Sequence, residues 1–268
     1  MSSIYDYQNI DRTNVLGIGV SAVNMDLAVK ILLEARSNKV NGYVCVTGAH
    51  GIIESQRDDD LKYIHNNSFL TLPDGEPTVW MGKEQGYQNM SRVYGPDLML
   101  NILEASSYGY SDTKFTHFFY GATKSILDQI VLNISNYFPG IKIVGVYAPP
   151  YRDLNADEEN ELAKIVKDLK PDFFWVGLST PKQEKFIASH SNNPDFGLML
   201  GVGAAFPIHA GVQKDAPEWI KSSGFHWFYR LLQEPRRLWR RYLDIVPSFL
   251  WLAFLQIFGL KDFNYNGN

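Results

Sequence analysis

Residues 173–185 read Phe-Phe-Trp-Val-Gly-Leu-Ser-Thr-Pro-Lys-Gln-Glu-Lys, and this stretch decides the fold class. Its first five residues form a continuous apolar run that ends in glycine, which is typical of a strand buried on both faces of a parallel sheet. Proline at position 181, followed by polar residues, indicates that a helix begins there, with Ser179 or Thr180 as its N-cap. The stretch therefore predicts a buried strand followed directly by a helix.

The same succession of strand and helix recurs along most of the chain. Further apolar runs lie at residues 14–17, 42–48, 117–121, 141–146 and 198–203. Apolar residues recur every four positions over Asp26–Ser37 and Thr123–Phe138, while Asn155–Leu169 carries acidic residues first and lysines last, as the helix dipole favours. This alternation predicts an α/β domain with a mostly parallel sheet and helices on both faces. Ligands of such sheets bind at the carboxyl ends of the strands.

The C-terminal part of the chain has a different composition. From about Ala216 onward it is dense in Trp, Phe and Arg and shows no further strand–helix alternation. We therefore expect a main domain over residues 1–213 and a helical appendage over residues 214–268. Between Phe225 and Arg241, five arginines and one glutamate give a charge of +4, so the remainder carries −8 against −4 for the whole chain. This separation predicts an anionic partner that the appendage alone contacts.

Composition excludes several classes of protein. A charged fraction of 20% and a net charge of −4 are unlike a disordered or nucleic-acid-coating chain, so no nucleic-acid partner is predicted. The single cysteine, Cys45, excludes an internal disulfide framework, and the six histidines form no metal-binding pair. Capping explains Asp58–Asp60 better than a metal site, so neither metal nor cofactor is predicted. The polar start, Met1–Asp11, lacks the layout of a secretory signal and favours a cytoplasmic protein.

Gly17–Ala22 fits the pattern G-x-G-x-x-A of dinucleotide-binding turns. That fingerprint needs an acidic residue at the end of the second strand, where this chain has Thr47-Gly48-Ala49-His50. A simple turn therefore explains the glycines better than a dehydrogenase site.

Several segments that follow strands each have two explanations. The tripeptide Pro-Asp-Gly around Asp74 is either a type I turn, which local chemistry favours, or the site of a general base. Thr47–Gly51 is either an ordinary turn with a threonine cap or a ligand-binding turn. Arg92 either binds a phosphate or pairs with a surface carboxylate. Lys182 and Gln183 either meet an anionic ligand at a helix N-terminus or form a solvated face.

Arginines of the appendage are spaced so that pairs of them share a helix face. The pairs are Arg236 with Arg240, and Arg237 with Arg241. The apolar stretch Val246–Leu260 follows; it is interrupted by Pro247 and Gln256 and is shorter than the about 20 residues that a spanning helix needs. We expect this segment to lie in the membrane interface, the alternative being a helix packed on the body or on another subunit.

Taken together, these segments resemble the WecG/TagA/CpsF family of bacterial glycosyltransferases (glycosyltransferase family 26). The resemblance extends from Val15 to about Phe263, and its most specific parts are Pro-Lys-Gln-Glu at residues 181–184 and Glu-Pro-Arg-Arg-Leu-Trp-Arg-Arg at residues 234–241. Residues 46–51, 54–58, 73–75, 92–99, 120–121, 177–180 and 201–206 carry the rest of it.

The resemblance implies a Rossmann-like fold and an inverting, metal-independent transfer of a hexose-type sugar. The donor would be a UDP-sugar and the acceptor a saccharide on undecaprenyl diphosphate, at the inner face of the cytoplasmic membrane, in the synthesis of exopolysaccharide or another cell-surface glycan. A homo-oligomer is compatible with this role.

The resemblance also implies roles for individual residues. Asp74 is the implied base, with Thr47 beside it. The implied substrate-binding residues are His50, Arg92, Gly95, Asp97, Gly121, Gly177, Ser179, Lys182, Gln183, Glu184 and Gly203. The arginines implied to meet the acceptor diphosphate or the membrane are Arg230, Arg236, Arg237, Arg240 and Arg241.

This chain departs from the family pattern at two places. The family usually has an aspartate within the segment where this chain has Pro207, which removes a carboxylate and a backbone donor. The turn at Ala49 lacks the asparagine of the teichoic-acid branch, which argues against assuming an N-acetylmannosamine donor. A second hypothesis follows from Pro207: a non-catalytic, membrane-docked scaffold of a polysaccharide assembly complex.

Overall fold

The computed structural model describes residues 10–108, 114–222 and 226–265, so most of the polar N-terminal segment lies outside the described residues. The described part opens on an antiparallel hairpin of β1 (Arg12–Val15) and β2 (Ile18–Ser21). Leu16 and Gly17 form its turn with φ of 52° and 81°, as a two-residue hairpin turn requires. The apolar run at residues 14–17 is therefore not a strand of the parallel sheet, and that prediction was wrong. The interpretation of the glycine pattern as a simple turn is confirmed.

The predicted parallel sheet is confirmed, and it contains six strands. Their spatial order, with strands numbered along the chain, is β4 (Leu70–Pro73), β3 (Gly42–Thr47), β8 (Leu198–Gly201), β7 (Phe173–Gly177), β5 (Thr116–Gly121) and β6 (Lys142–Tyr147). Strand β4 lies directly before Asp74, where the interpretation of this residue as a base had placed the end of a strand. It places Pro73 opposite Thr47 of β3, so the residues that follow both strands are neighbours.

Helices cover both faces of the sheet, as predicted. The helices on one face are α1 (Met25–Ser37), α5 (Gly95–Tyr108), α6 (Lys124–Tyr137) and α9 (Ala205–His209). Those on the other face are α3 (Asp59–Asn66), α7 (Ala156–Leu169) and α8 (Lys182–Ser189), together with the 3₁₀ helix Pro194–Phe196. Strand β3 shows why: Val44 and Val46 point into the first layer, whereas Tyr43 and Cys45 point into the second.

Several of these helices begin with a side-chain cap, and for Asp58 the sequence predicted this role. Thr123 caps α6, Asn155 caps α7 and Asp58 caps α3. The predicted cap of α8 was wrong, because Pro181 occupies the N-cap position and no side chain caps the helix. The Thr180 hydroxyl instead donates to Glu184 inside the helix.

A separate apolar cluster joins the hairpin to the C-terminal helices. It is built by the hairpin, α2 (Ala49–Glu54), α4 (Glu76–Glu84) and the long helix α12 (Pro235–Ile257), which follows α10 (Glu218–Ser222) and α11 (His226–Gln233). Ile245, Phe249 and Ala253 form the buried stripe of α12. Gln256 does not interrupt the helix: its side chain accepts a hydrogen bond from the Leu16 backbone N–H (2.9 Å) and donates to the Asn14 carbonyl (2.8 Å).

Helix α12 also continues through Pro247. The carbonyl that Pro247 leaves without a partner belongs to Leu243, which is exposed, so water can satisfy it. The neighbouring face of α12 is apolar and exposed, and it consists of Leu243, Val246, Leu250, Trp251, Phe254 and Ile257, with Phe258 at the C-cap. Across the described ranges, no helix combines the length and hydropathy needed to cross a membrane.

Candidate active site

A cavity of about 1550 Å³ opens at the carboxyl ends of the parallel strands. Its wall is made by residues that follow β3, β4, β5, β6, β7 and β8, and by α11 and α12, which close one side. This position is where an open α/β sheet binds ligands. We refer to it below as the pocket.

The pocket brings together most of the residues that the sequence singled out. Those in its wall are Thr47, His50, Asp74, Arg92, Gly95, Gly177, Ser179, Lys182, Gln183, Gly203, Arg230, Arg237 and Arg241. Asp97, Gly121, Glu184, Arg236 and Arg240 lie outside the wall. Some of the implied substrate-binding residues and some of the appendage arginines therefore line the pocket, whereas the others do not.

Asp74 follows β4 directly and stands in the pocket wall with 34% of its side chain exposed. Its Oδ1 is buried and has no hydrogen-bond partner among the described residues. Burial raises the pKa of this carboxyl group, although Arg92, His226, Arg230 and the backbone N–H of Gly95 all act in the opposite direction. A carboxylate whose pKa is raised is better suited to act as a general base.

Arg92 is held beside Asp74 by several neighbours. Its Nε donates to the Asp74 carbonyl at 3.0 Å, and its Nη2 lies 3.7 Å from Asp74 Oδ1. The guanidinium stacks over the Tyr94 ring, with Cζ 4.3 Å from the ring centroid. Its Nη2 also lies 3.1 Å from Nδ1 of His226. The alternative of a surface ion pair therefore does not describe Arg92, which is 13% exposed and faces the pocket.

Thr47 and His50 flank the turn between β3 and α2. Thr47 is buried, and its Oγ1 occupies the space where a Cβ at Gly51 would stand, only 2.1 Å away. Gly48, not Thr47, takes the N-cap position of α2, and no side chain caps this helix. Burial, followed by the charges of Arg241 and Arg57, lowers the pKa of His50 to about 4, which keeps this imidazole neutral near pH 7.

Gln183 lies in the pocket wall and packs against the glycines that follow β8. It is 4% exposed, and its carbonyl oxygen has no hydrogen-bond partner in the described part of the chain. Its amide nitrogen donates to Glu184 at 3.0 Å, and Thr180 donates to the same carboxylate oxygen at 2.9 Å. Burial raises the pKa of Glu184. Glu184 thus orients the side-chain amide of Gln183 through a hydrogen bond and does not line the pocket itself.

Glycines at two strand ends permit close packing under the pocket. A Cβ on Gly121, where φ is +121°, would stand 2.7 Å from the Gly177 carbonyl oxygen. A Cβ on Gly177 would stand 2.3 Å from the Phe206 ring. Gly121 therefore supports the floor of the pocket, whereas Gly177 also reaches its wall.

Three appendage arginines carry positive charge into the pocket. Arg230 of α11 has a buried Nε with no hydrogen-bond partner among the described residues. Arg237 of α12 pairs with Glu234 (Nη2 to Oε1, 2.7 Å), and burial lowers the pKa of Arg241. Guanidinium groups arranged this way suit the oxygens of a diphosphate.

A polar cluster next to Asp74 was not found from the sequence. Lys221 Nζ lies 3.0 Å from Asp97 Oδ1 and 2.8 Å from Asp215 Oδ2, while Tyr94 donates to Asp215 Oδ1 at 3.0 Å. His226 lies beside this cluster, with its ring edge against Tyr94 at 4.8 Å between centroids. Its members are up to 132 residues apart, and no spacing signal connects them.

The remaining predicted features have ordinary structural surroundings. Pro207 lies in the pocket wall in the first turn of α9, where its missing N–H would have had no intrahelical partner. Asp58 caps α3 and pairs with Lys185 at 2.7 Å. No group of three or more His, Cys, Asp and Glu side chains within the described ranges has the arrangement of a metal site.

Comparison with known proteins identifies the family of this chain. The model of the glycosyl transferase WecG/TagA/CpsF family matches residues 13–262. The chain is 32% identical over 189 residues to the N-acetylglucosaminyldiphosphoundecaprenol N-acetyl-beta-D-mannosaminyltransferase of Bacillus subtilis strain 168, covering 70% of each chain. It is 31% identical over 192 residues to the protein of the same name from Bacillus spizizenii strain W23, covering 72% of this chain and 71% of that one. The Staphylococcus aureus strain MW2 protein of that name is 24% identical over 251 residues, 93% of this chain and 94% of its own. Because the family match covers both the pocket and the C-terminal helices, the chain belongs to the WecG/TagA/CpsF family of glycosyl transferases.

Proposed function

We propose that this glycosyltransferase moves a hexose-type sugar from a UDP-sugar to a saccharide carried on undecaprenyl diphosphate, with inversion at the anomeric carbon. The observation that carries the proposal is the position of Asp74: a carboxylate with a raised pKa shares the pocket wall with Arg92 and three appendage arginines. The names of the relatives support the acceptor class, since those proteins are named for an N-acetylglucosaminyl diphosphoundecaprenol acceptor.

Asp74 would act as the general base of a single displacement. The acceptor hydroxyl oxygen attacks the anomeric carbon while its proton passes to the Asp74 carboxylate. The bond between the anomeric carbon and the UDP oxygen breaks, and its electron pair leaves with UDP. Because attack and departure occur on opposite sides of the carbon, the configuration inverts. General-base assistance of this kind typically contributes about 10²–10⁴-fold to the rate.

The pocket also offers cations for the two diphosphates that the reaction needs. Arg92 and Lys182 both line the pocket and are suited to the UDP leaving group, whose negative charge grows as the bond breaks. Arg230, Arg237 and Arg241 enter from the appendage side and are suited to the carrier diphosphate. This division assigns the donor to the sheet and the acceptor to the appendage.

The same division supports a position on the membrane. The exposed apolar face of α12 and the exposed arginines Arg236 and Arg240 lie on the appendage, which also faces the pocket through Arg237 and Arg241. A helix with this combination binds in the interface of an anionic bilayer. We propose that α12 holds the pocket against the cytoplasmic face of the membrane, where a lipid-linked acceptor is found.

The experiment is a transfer assay with the full chain, a lipid-linked N-acetylglucosaminyl diphosphate acceptor and a panel of UDP-sugars. UDP-N-acetylmannosamine, UDP-N-acetylglucosamine and UDP-glucose form the panel, since the donor sugar of the named relatives and the departure at Ala49 point to different members. We expect turnover with one donor, and Asp74→Asn should lower kcat by about 10²-fold or more because the amide cannot take the proton.

Asp168→Asn, at an exposed carboxylate of α7, is the matched control and should retain wild-type turnover. Equal turnover of Asp74→Asn and the wild type would remove Asp74 from the mechanism. A wild-type chain that transfers from no member of the panel, and gains no thermal stability from UDP, would contradict the donor class.

A further inference from the structure

The polar cluster beside Asp74 connects the start of the appendage to the part of the pocket wall that contains Asp74. Asp215 and Lys221 belong to the segment that leads into α11, and His226 is the first residue of α11. Lys221 binds Asp97 at the start of α5, and Tyr94 binds Asp215. The cluster is largely buried: Lys221 is 12% exposed at its side chain. It therefore fixes His226 at the edge of the pocket.

The contact between His226 and Arg92 has only one chemically consistent form. A guanidinium group has N–H donors and no acceptor, so Nδ1 of His226, 3.1 Å from Arg92 Nη2, must be the acceptor. The imidazole is then neutral and carries its proton on Nε2. Nε2 faces Asp215, with Oδ1 at 3.9 Å, and this carboxylate favours that tautomer.

The contact matters because Arg92 is the cation nearest to Asp74. Its Nε binds the Asp74 carbonyl and its Nη2 lies between Asp74 Oδ1 and His226 Nδ1. Nη1 has no hydrogen bond to any of the described residues, so it is the edge that a donor diphosphate can use. Without His226, rotation about the terminal bonds of Arg92 would move both Nη atoms relative to the carboxylate.

We propose that His226 is a positioning residue for the transfer step: it holds the Arg92 guanidinium in place between Asp74 and the donor diphosphate, and Asp215 holds His226. The inference rests on the proposed function, because it assigns Arg92 a role in the same reaction. It adds that the first residue of α11 takes part in aligning the groups that act on the donor, while Arg230 lies one turn further along the same helix.

Two substitutions separate positioning from simple packing. His226→Phe keeps an aromatic ring against Tyr94 and removes the acceptor. His226→Asn gives up the ring and restores an acceptor, since Oδ1 of asparagine can take the place of Nδ1. Steady-state transfer with the full chain is measured for both variants, together with the thermal unfolding midpoint.

We expect His226→Phe to lower kcat on the order of 10–100-fold, the range for a reacting group displaced by about 1 Å, and to change the KM for the UDP-sugar by less than about threefold. His226→Asn should recover at least half of the lost activation free energy although it packs less well. Wild-type kcat in His226→Phe, or an equal loss in both variants, would overturn the proposal, since a packing role predicts that the asparagine variant is the worse of the two.

A second measurement does not depend on turnover. Long-range ¹H–¹⁵N correlation spectra of the labelled full chain report the tautomer of each histidine, and the signal missing from His226→Phe identifies His226. We expect the neutral Nε2–H form, with an Nδ1 shift that moves when Arg92→Gln removes its donor. An Nδ1–H form, or no change with Arg92→Gln, would overturn the contact itself. If the wild type transfers no sugar while this contact is observed, the proposed function fails and the contact stands.

Discussion

The pKa of Asp74 depends on residues that are distant from it in the sequence. Locally, Pro-Asp-Gly is a common turn, and nothing within the tripeptide indicates a base. The pKa of Asp74 is raised because the pocket wall buries it, while the charges of Arg92 and Arg230 limit that rise. Arg230 is 156 residues away in the chain, so only the folded structure can set this balance.

A pH dependence follows from this balance. In the proposed mechanism the ionised form of Asp74 is the active one, so kcat/KM should fall as the pH decreases through a pKa that lies above the usual value of about 3.9 for aspartate. Arg230→Gln removes a positive charge that favours the carboxylate, so the pKa should rise and the acidic limb should move to higher pH. The measurement is kcat/KM against pH for the wild type and the variant.

Arg236→Gln is the matched control for this shift, because Arg236 lies outside the pocket wall. It should leave the midpoint of the acidic limb where the wild type has it, whatever its effect on the plateau. A limb that moves to lower pH in Arg230→Gln would show that the acidic group is not Asp74.

At the scale of elements, helices were predicted well and strand pairing was not. The predicted bounds of α1, α6 and α7 agree with the structure to within one residue at each end, because periodicity and caps are local signals. The hairpin β1–β2 was missed as such because each of its strands has only four residues, too few for a clear alternating pattern.

The role of Gln256 in helix α12 depends on a partner that is distant in the sequence, the hairpin β1–β2. In the sequence it reduces the hydropathy of an apolar helix, whereas in the structure its amide satisfies two backbone groups of the hairpin. Gln256→Leu should therefore lower the free energy of unfolding by about 1–3 kcal/mol, because the buried Leu16 N–H loses its partner, whereas the Asn14 carbonyl still accepts a hydrogen bond from Gln85. Equilibrium unfolding in urea measures the change.

Gln129→Leu, the same substitution on the exposed face of α6, is the control for this prediction and should change the stability by less than about 0.5 kcal/mol. If Gln256→Leu were as stable as the wild type or more stable, α12 would not depend on this docking contact.

At the scale of the whole molecule, positive charge and exposed apolar surface lie together on the appendage. The segment 225–241 carries +4 and the remainder of the chain −8, and the exposed apolar face of α12 follows that segment directly. The separation of charge was predictable from the sequence, because it needs only residue types. Which arginines face the pocket and which face outward was not, since the two sets alternate along one helix and the docking of α12 on the hairpin decides its rotation.

This arrangement predicts how the protein should bind bilayers. An acidic body is repelled by anionic headgroups while the appendage is attracted, so the full chain should float with vesicles that contain phosphatidylglycerol and bind phosphatidylcholine vesicles less. Arg236→Gln together with Arg240→Gln removes two outward cations of about 1 kcal/mol each, which should weaken binding about 30-fold. Raising the ionic strength should weaken wild-type binding in the same direction.

Lys164→Gln together with Lys167→Gln makes the same change in net charge on the exposed face of α7, and this pair should leave vesicle binding within about twofold of the wild type. The comparison separates a local cation effect from net charge, because both double variants carry two positive charges fewer. If both pairs weaken binding equally, net charge explains the affinity and α12 has no special place in it. If neither pair does, and zwitterionic vesicles bind as well as anionic ones, the apolar face of α12 accounts for membrane binding without its arginines.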